Sequence, residues 1–206
     1  MSSQTAALKP AAHTATPVSH GARERIFETA RELFYKQGIR AVGVETIASE
    51  AGTTKMSLYR HFPSKDELTA ECLRAERQEF AEWWDGVIAK AGSPRKQLEA
   101  LFNEFQSKAC SDDGDESRGC PLANAAVELP DQKHPARKVV QEHKADVRKR
   151  LRSLCREMGA RKPDELGDAL LLLMEGAYMA RLVFGMNGPV QSVSKAAKVL
   201  IEEQLP

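Results

Sequence analysis

Six side chains on one short stretch carry the most chemistry in this sequence: Lys55, Met56, Ser57, Tyr59, Arg60 and His61. Leu58 and Phe62 stand among them at i and i+4, so a helix here buries those two and turns the six outward. Lys or Arg can pair with guanine O6 and N7, and a methionine can pack on a thymine methyl, so the exposed set suits the floor of a DNA major groove. The competing reading of the same residues is an ordinary solvated helix face.

Other candidate chemistry is sparser. Cys72, Cys110, Cys120 and Cys155 show neither CxxC spacing nor a partnered histidine cluster, which argues against zinc and against a secreted disulfide framework and fits a reducing cytosol. Cys120 stands just before Pro121, where a helix N-terminus, with Arg118 nearby, favours a reactive thiolate; the plainer reading is a small buried hydrophobe. No nucleophile, base and orienter fall into a recognisable motif, and no phosphate loop or metal cluster is present, so the sequence calls for no enzyme activity, cofactor or metal. His143 sits on an apolar stripe and reads as a core histidine. Glu175 and Arg181 interrupt the most apolar helix, and charges there need a ligand, a structural partner or a partner across a dimer. The basic residues at 144, 148, 149, 150, 152 and 156 lie off their helix's stripe and read as a solvated face.

The elements that position the six side chains follow from period and punctuation. Val44, Ile47, Ala48 and Ala51 recur at helical spacing, Gly52 ends that helix, and Thr53 and Thr54 offer hydroxyls to open the next around Lys55. Upstream, Ile26, Phe27, Ala30, Leu33 and Phe34 predict a bracing helix ending near Gly38. Ser64 with Glu67 forms a capping box that starts a long helix at Lys65, continuing to about residue 91 without a flexible linker. Further helices are predicted over 94–109, 121–129, 136–158 and 165–186, with a last one carrying Val193, Ala197 and Leu200. An acidic loop, SDDGDESR, spans 111–118. No stretch alternates with period two, so the fold class is all-α: a three-helix helix-turn-helix unit joined by a long helix to a larger helical unit.

Composition sets the bounds. The chain has 206 residues, 42% of them hydrophobic, enough for a buried core. Its net charge of +1 excludes a bulk polycation, but residues 23–65 hold 8 Lys and Arg against 5 Asp and Glu, so positive charge is concentrated where the reading helix lies. Residues 1–20, rich in Ala, Thr, Ser and Pro, read as a disordered arm without a secretory apolar core. The longest apolar run falls short of the ~20 residues of a membrane span.

The stretch ETIASEAGTTKMSLYRHFPSKDEL resembles the DNA-binding domain of TetR (tetracycline-repressor-like) transcriptional regulators, whose pattern runs VxxIAxxAGVSxxxLYxHFxxKxxL. Ile47, Ala48, Ala51, Gly52, Leu58, Tyr59, Phe62, Lys65 and Leu68 fall at its offsets. Gly43, where a Ser or Thr cap is usual, and Thr53, where an apolar residue is usual, depart from it. The resemblance implies a DNA-binding domain over 21–66 and a ligand-binding and dimerisation domain over 67–206. It assigns phosphate contacts to Thr54, Tyr59, His61 and Lys65 and base contacts to Lys55, Met56, Ser57 and Arg60, with Thr46 and Thr53 beside them. It implies a small-molecule pocket among Trp83, Trp84, Phe102, Phe105, Asn124, Met174, Glu175 and Tyr178, to which Cys120 is added as a candidate, and a homodimer interface at Leu171, Leu172, Leu182, Val193 and Leu200. The expected partners are a pseudo-palindromic double-stranded operator, an effector and a second copy, with no membrane. The expected function is a cytoplasmic repressor released by its ligand; the alternative is a helical interaction or small-molecule-binding module without sequence-specific DNA binding.

Overall fold

The computed structural model describes residues 21–110 and 118–205. The expected arm at 1–20 and most of the acidic loop lie outside them. The described residues form α1 (Ala22–Gln37), α2 (Val44–Glu50), α3 (Lys55–His61), α4 (Lys65–Lys90), α5 (Pro94–Ala109), α6 (Pro121–Glu128), α7 (Pro135–Glu157), α8 (Pro163–Phe184) and α9 (Val193–Glu203), with a 3-10 turn at Pro189–Ser192. Four of these helices, α5 to α8, begin with proline, whose fixed φ suits a first turn and whose missing N–H would have been unpaired there. Ser93, which precedes α5, makes no side-chain capping hydrogen bond, so Pro94 marks that start.

Two apolar cores form. One gathers α1, α2, α3, the first turns of α4, all of α6 and the first half of α7, with Ile26, Ile47, Leu58, Phe62 and Leu68 at its centre. The other holds Trp84, Leu98, Phe102, Leu151, Leu170, Met174 and Ile201 from α4, α5, α7, α8 and α9. The packing therefore changes later than residue 66. Leu122 and Ala125 of α6, with Leu129 just after it, belong to the core that supports the reading helices, and α4 runs through both cores as one unbroken rod.

The longest pairing is α7 against α8. It is close because Gly167 faces the α7 backbone: a Cβ there would lie 2.6 Å from Arg152 Cγ and 2.9 Å from its Cα. The basic face of α7, expected to be merely solvated, is an ion-pair seam. Arg148 and Arg152 each grip Asp168 with two hydrogen bonds of 2.6–2.8 Å, Arg152 and Arg156 reach Asp164, and Arg150 bridges to Asp85 of α4. The two guanidinium groups hold the Asp168 carboxyl well below the usual carboxylate range.

Candidate DNA-reading surface and effector cavity

The turn before the reading helix is built from the backbone outward. Gly52 takes φ +60°, its N–H donates to Ser49 O at 3.1 Å, and the Thr53 N–H donates to Ala48 O at 2.9 Å, the paired bonds of a Schellman stop. Two residues on, Thr54 Oγ1 accepts from Ser57 N at 3.1 Å and opens α3. At the start of α2, Gly43 makes no side-chain cap, as the absent hydroxyl dictates. Arg25 Nε donates to Ala51 O at 3.1 Å and Arg23 lies over the Phe62 ring at 4.9 Å, so α1 holds the turn and the far end of the helix-turn-helix.

Leu58 and Phe62 are buried, leaving Lys55, Met56, Tyr59, Arg60 and His61 exposed with Ser57 half-buried. Met56 is 75% exposed, an unusual position for a large apolar side chain and one that a thymine methyl would cover. Lys55 is held by Glu45 of α2, which keeps its ammonium at the edge of the surface. Thr46 and Thr54 are exposed beside it, and Thr53 is half-buried in the turn. Lys65, half-buried, donates from Nζ to Ile39 O at 2.6 Å and lies 5.9 Å from the Phe34 ring centroid, so it braces the α1–α2 turn. Burial lowers its pKa.

Beyond this domain a cavity of about 300 Å³ opens between α4, α5, the start of α6, α7 and α8. Phe80 and Trp83 of α4 face Phe105 of α5 and Tyr178 of α8; Phe105 and Tyr178 meet edge to face at 4.8 Å. His143 of α7 closes one wall against Phe80 at 5.0 Å, with its pKa lowered to about 4, first by burial and then by Lys144 and Arg77. The Trp83 indole N–H is buried and has no hydrogen-bond partner among the described residues. Glu76 and Glu79 border the same cavity while holding Arg31 of α1, both at 2.8 Å.

The comparisons decide the family. Residues 26–72 match the model for bacterial regulatory proteins of the tetR family, and residues 94–197 match the tetracyclin repressor-like C-terminal domain, half of the chain by itself. The chain belongs to the TetR family. The crystal structure of sav143, a TetR transcriptional regulator of Streptomyces avermitilis, superposes with a TM-score of 0.78 at 31% identity, covering 90% of this chain and 98% of that one. The HTH-type transcriptional regulator LmrA of Bacillus subtilis is 25% identical over 193 residues, 90% of this chain and all of LmrA. The HTH-type transcriptional repressor KstR2 of Mycobacterium tuberculosis is 34% identical over 84 residues, 39% of this chain and 40% of KstR2. This TetR-family protein is thus a DNA-binding transcriptional regulator, as are the relatives named above. Regulators of the family bind operator DNA, form dimers and bind small-molecule effectors. No described helix is long and apolar enough to cross a membrane.

Of the pocket residues expected in this TetR-family chain, Trp83, Phe105, Cys120 and Tyr178 line the cavity. Trp84, Phe102 and Met174 do not; each is about 1% exposed and packs in the second core. Asn124 is also elsewhere, its side chain donating to Arg118 O at 2.7 Å to close the turn into α6. Glu175 is bound by Lys144 at 2.6 Å, a structural pair within the chain. Cys120 is 6% exposed, which fits the buried-hydrophobe reading, and its sulfur lies 3.7 Å from Lys144 Nζ. Phe80, Lys108 and His143 are among the lining residues that sequence reasoning did not assign to the pocket, and Arg181, expected to need a ligand or a partner, lines it as well. Phe80 sits three before Trp83 and Arg181 three after Tyr178, so helical spacing around the two chosen aromatics was the available signal.

The proposed interface residues also divide. Leu172 and Leu182 are exposed at 71% and 44%, Leu171 and Leu200 are half-buried, and Val193 is 2% exposed inside the chain's own core. Val193 is therefore a core residue; the turn at Pro189–Ser192 rotates the start of α9 inward. In its place Met179, Val183, Phe184 and Val199 are exposed, and Leu172, Gly176, Met179 and Val183 follow one line along α8.

Proposed function

We propose that this protein is a homodimeric repressor that binds a pseudo-palindromic operator through α3 and is released by a small molecule in the cavity. In this reading residues 21–66 are the DNA-reading domain and 67–206 the effector and assembly domain, and the protein works in the cytoplasm where its operator lies. Lys55, Met56, Ser57 and Arg60 read base edges, and Thr54, Tyr59 and His61 meet phosphates. The exposed apolar line on α8, with Val199 of α9, meets its twin in the second copy, and two-fold symmetry sets the spacing of the two reading helices near the ~34–36 Å of successive major grooves.

The observation that carries the reading is the shared use of Glu76 and Glu79. These carboxylates border the cavity on one side and fix Arg31 of α1 on the other, both at 2.8 Å. A ligand that prefers a different placement of α4 shifts the anchorage of the reading domain with it, because α4 is one continuous helix of 26 residues. The test is a gel shift with DNA from upstream of the protein's own gene, with and without candidate effectors. Salt-sensitive, sequence-dependent retention is the supporting result; equal affinity for that DNA and for scrambled DNA at matched salt overturns it and leaves a helical small-molecule-binding module.

A further inference from the structure

Among the described residues, one buried cation of the cavity wall has no carboxylate partner. The wall's two carboxylates, Glu76 and Glu79, are engaged by Arg31, and Glu175 of α8 is engaged by Lys144. Arg181 has no such partner. It is 5% exposed, and only its Nε is used, donating to Ala109 O at 2.8 Å at the C-terminus of α5. Its Nη groups donate to no acceptor among the described residues, and the side chain borders the cavity. The carbonyl end of α5 offers roughly half a negative charge, which offsets part of a buried guanidinium and leaves the rest uncompensated.

The other polar groups of the wall lean the same way. Trp83 presents a buried N–H without an acceptor, and a Trp N–H can only donate. Burial raises the Tyr178 phenol above its ordinary value, so it stays a neutral donor. Lys108 places a second cation over the Trp83 ring, 5.1 Å from its centroid. A cationic ligand would face the Arg181 guanidinium, with both wall carboxylates already engaged by Arg31.

We infer that the cavity takes an aromatic carboxylate of one or two rings, its carboxylate held by the Arg181 guanidinium and its ring lying among Phe80, Trp83, Phe105 and Tyr178. This rests on the cavity being the effector site. The volume, about 300 Å³, is at the small end of the roughly 300–1,000 Å³ of ordinary ligand pockets, which limits the ring count. The guanidinium fork matches a carboxylate in two parallel hydrogen bonds, and the low polarity of the walls strengthens them.

The test uses full-length protein and two matched series, 2-naphthoate with 2-naphthamide and 2-naphthylmethylammonium, and phenylacetate with its amide and amine, titrated by calorimetry. The carboxylates are expected to bind at least about tenfold more tightly than their amides and amines, a margin of about 1.4 kcal/mol. Arg181→Gln is expected to erase that preference and Arg181→Lys to keep part of it. Because Arg181 also caps α5, a melting curve checks each variant; if Arg181→Gln fails to fold, the wild-type series and Arg181→Lys decide. Amides or amines binding as well as carboxylates would overturn the charge assignment while leaving the cavity as the effector site. No binding by either series removes the cavity as a ligand site, and the inference with it.

Discussion

Replacing His143 by Gln should change how stability depends on pH. The imidazole is 4% exposed, packed edge-on to Phe80, with Lys144 and Arg77 opposing its protonation and Asp146 favouring it. Glu76, Glu79, Lys108 and Arg181 are the charged groups across the cavity. Its pKa falls from 6.5 to about 4, so between those values the unfolded chain binds a proton that the folded chain refuses. Stability contributed by the neutral histidine is thus full above pH 6.5 and is lost as pH falls towards 4. Linkage gives a loss of about 2 kcal/mol between pH 7 and pH 5, and about 3 kcal/mol by pH 4. Urea denaturation followed by circular dichroism at pH 7, 6 and 5 measures it. Carboxylates elsewhere titrate in both proteins, so the quantity to read is the difference between wild type and His143→Gln, which should move by about 2 kcal/mol over that range. Parallel stability curves for the two proteins would mean that His143 is solvated or paired, and the description of the cavity wall would fail.

Other outcomes follow from the same structure. Lys55→Ala or Arg60→Ala should weaken operator binding by about 1–3 kcal/mol at fixed salt with melting unchanged, measured by fluorescence anisotropy; unchanged affinity in both removes α3 as the reader. Leu172→Asp puts a charge on the most exposed part of the α8 line and should yield monomers with lost operator binding in sedimentation velocity; a wild-type monomer would refute the interface. Gly167→Ala forces a Cβ against Arg152 and should destabilise by about 1–3 kcal/mol in chemical denaturation; a neutral effect would mean that α7 and α8 separate at little cost. On brief alkylation of folded protein, half-buried Cys110 should react before Cys72 and Cys155, whose thiols burial pushes up, the latter to about 12, as read by mass spectrometry.

Local signals were enough for the helices and for the reading surface. Gly52, Thr54, Ser64 and the prolines at 94, 121, 135 and 163 act on their own neighbours, so helix starts and stops were legible from adjacent residues. Leu58 and Phe62 alone determine which way a seven-residue helix must face, and the exposed set on α3 follows from them. The cavity and the interface were not legible in the same way. Whether an aromatic on α4 or α8 points at a void or into a core depends on the rotation of five helices about one another; Trp83 and Trp84 are adjacent in sequence, yet one lines the cavity and the other packs in the core. Charge pairing is also tertiary. The basic face of α7 looked solvated because its partners, Asp85, Asp164 and Asp168, are on other helices, and the bond from Lys65 to Ile39 O, 26 residues away, has no local signal. Periodicity says that a side chain leaves a helix on a given side; only packing decides whether that side holds solvent, a carboxylate or an empty space.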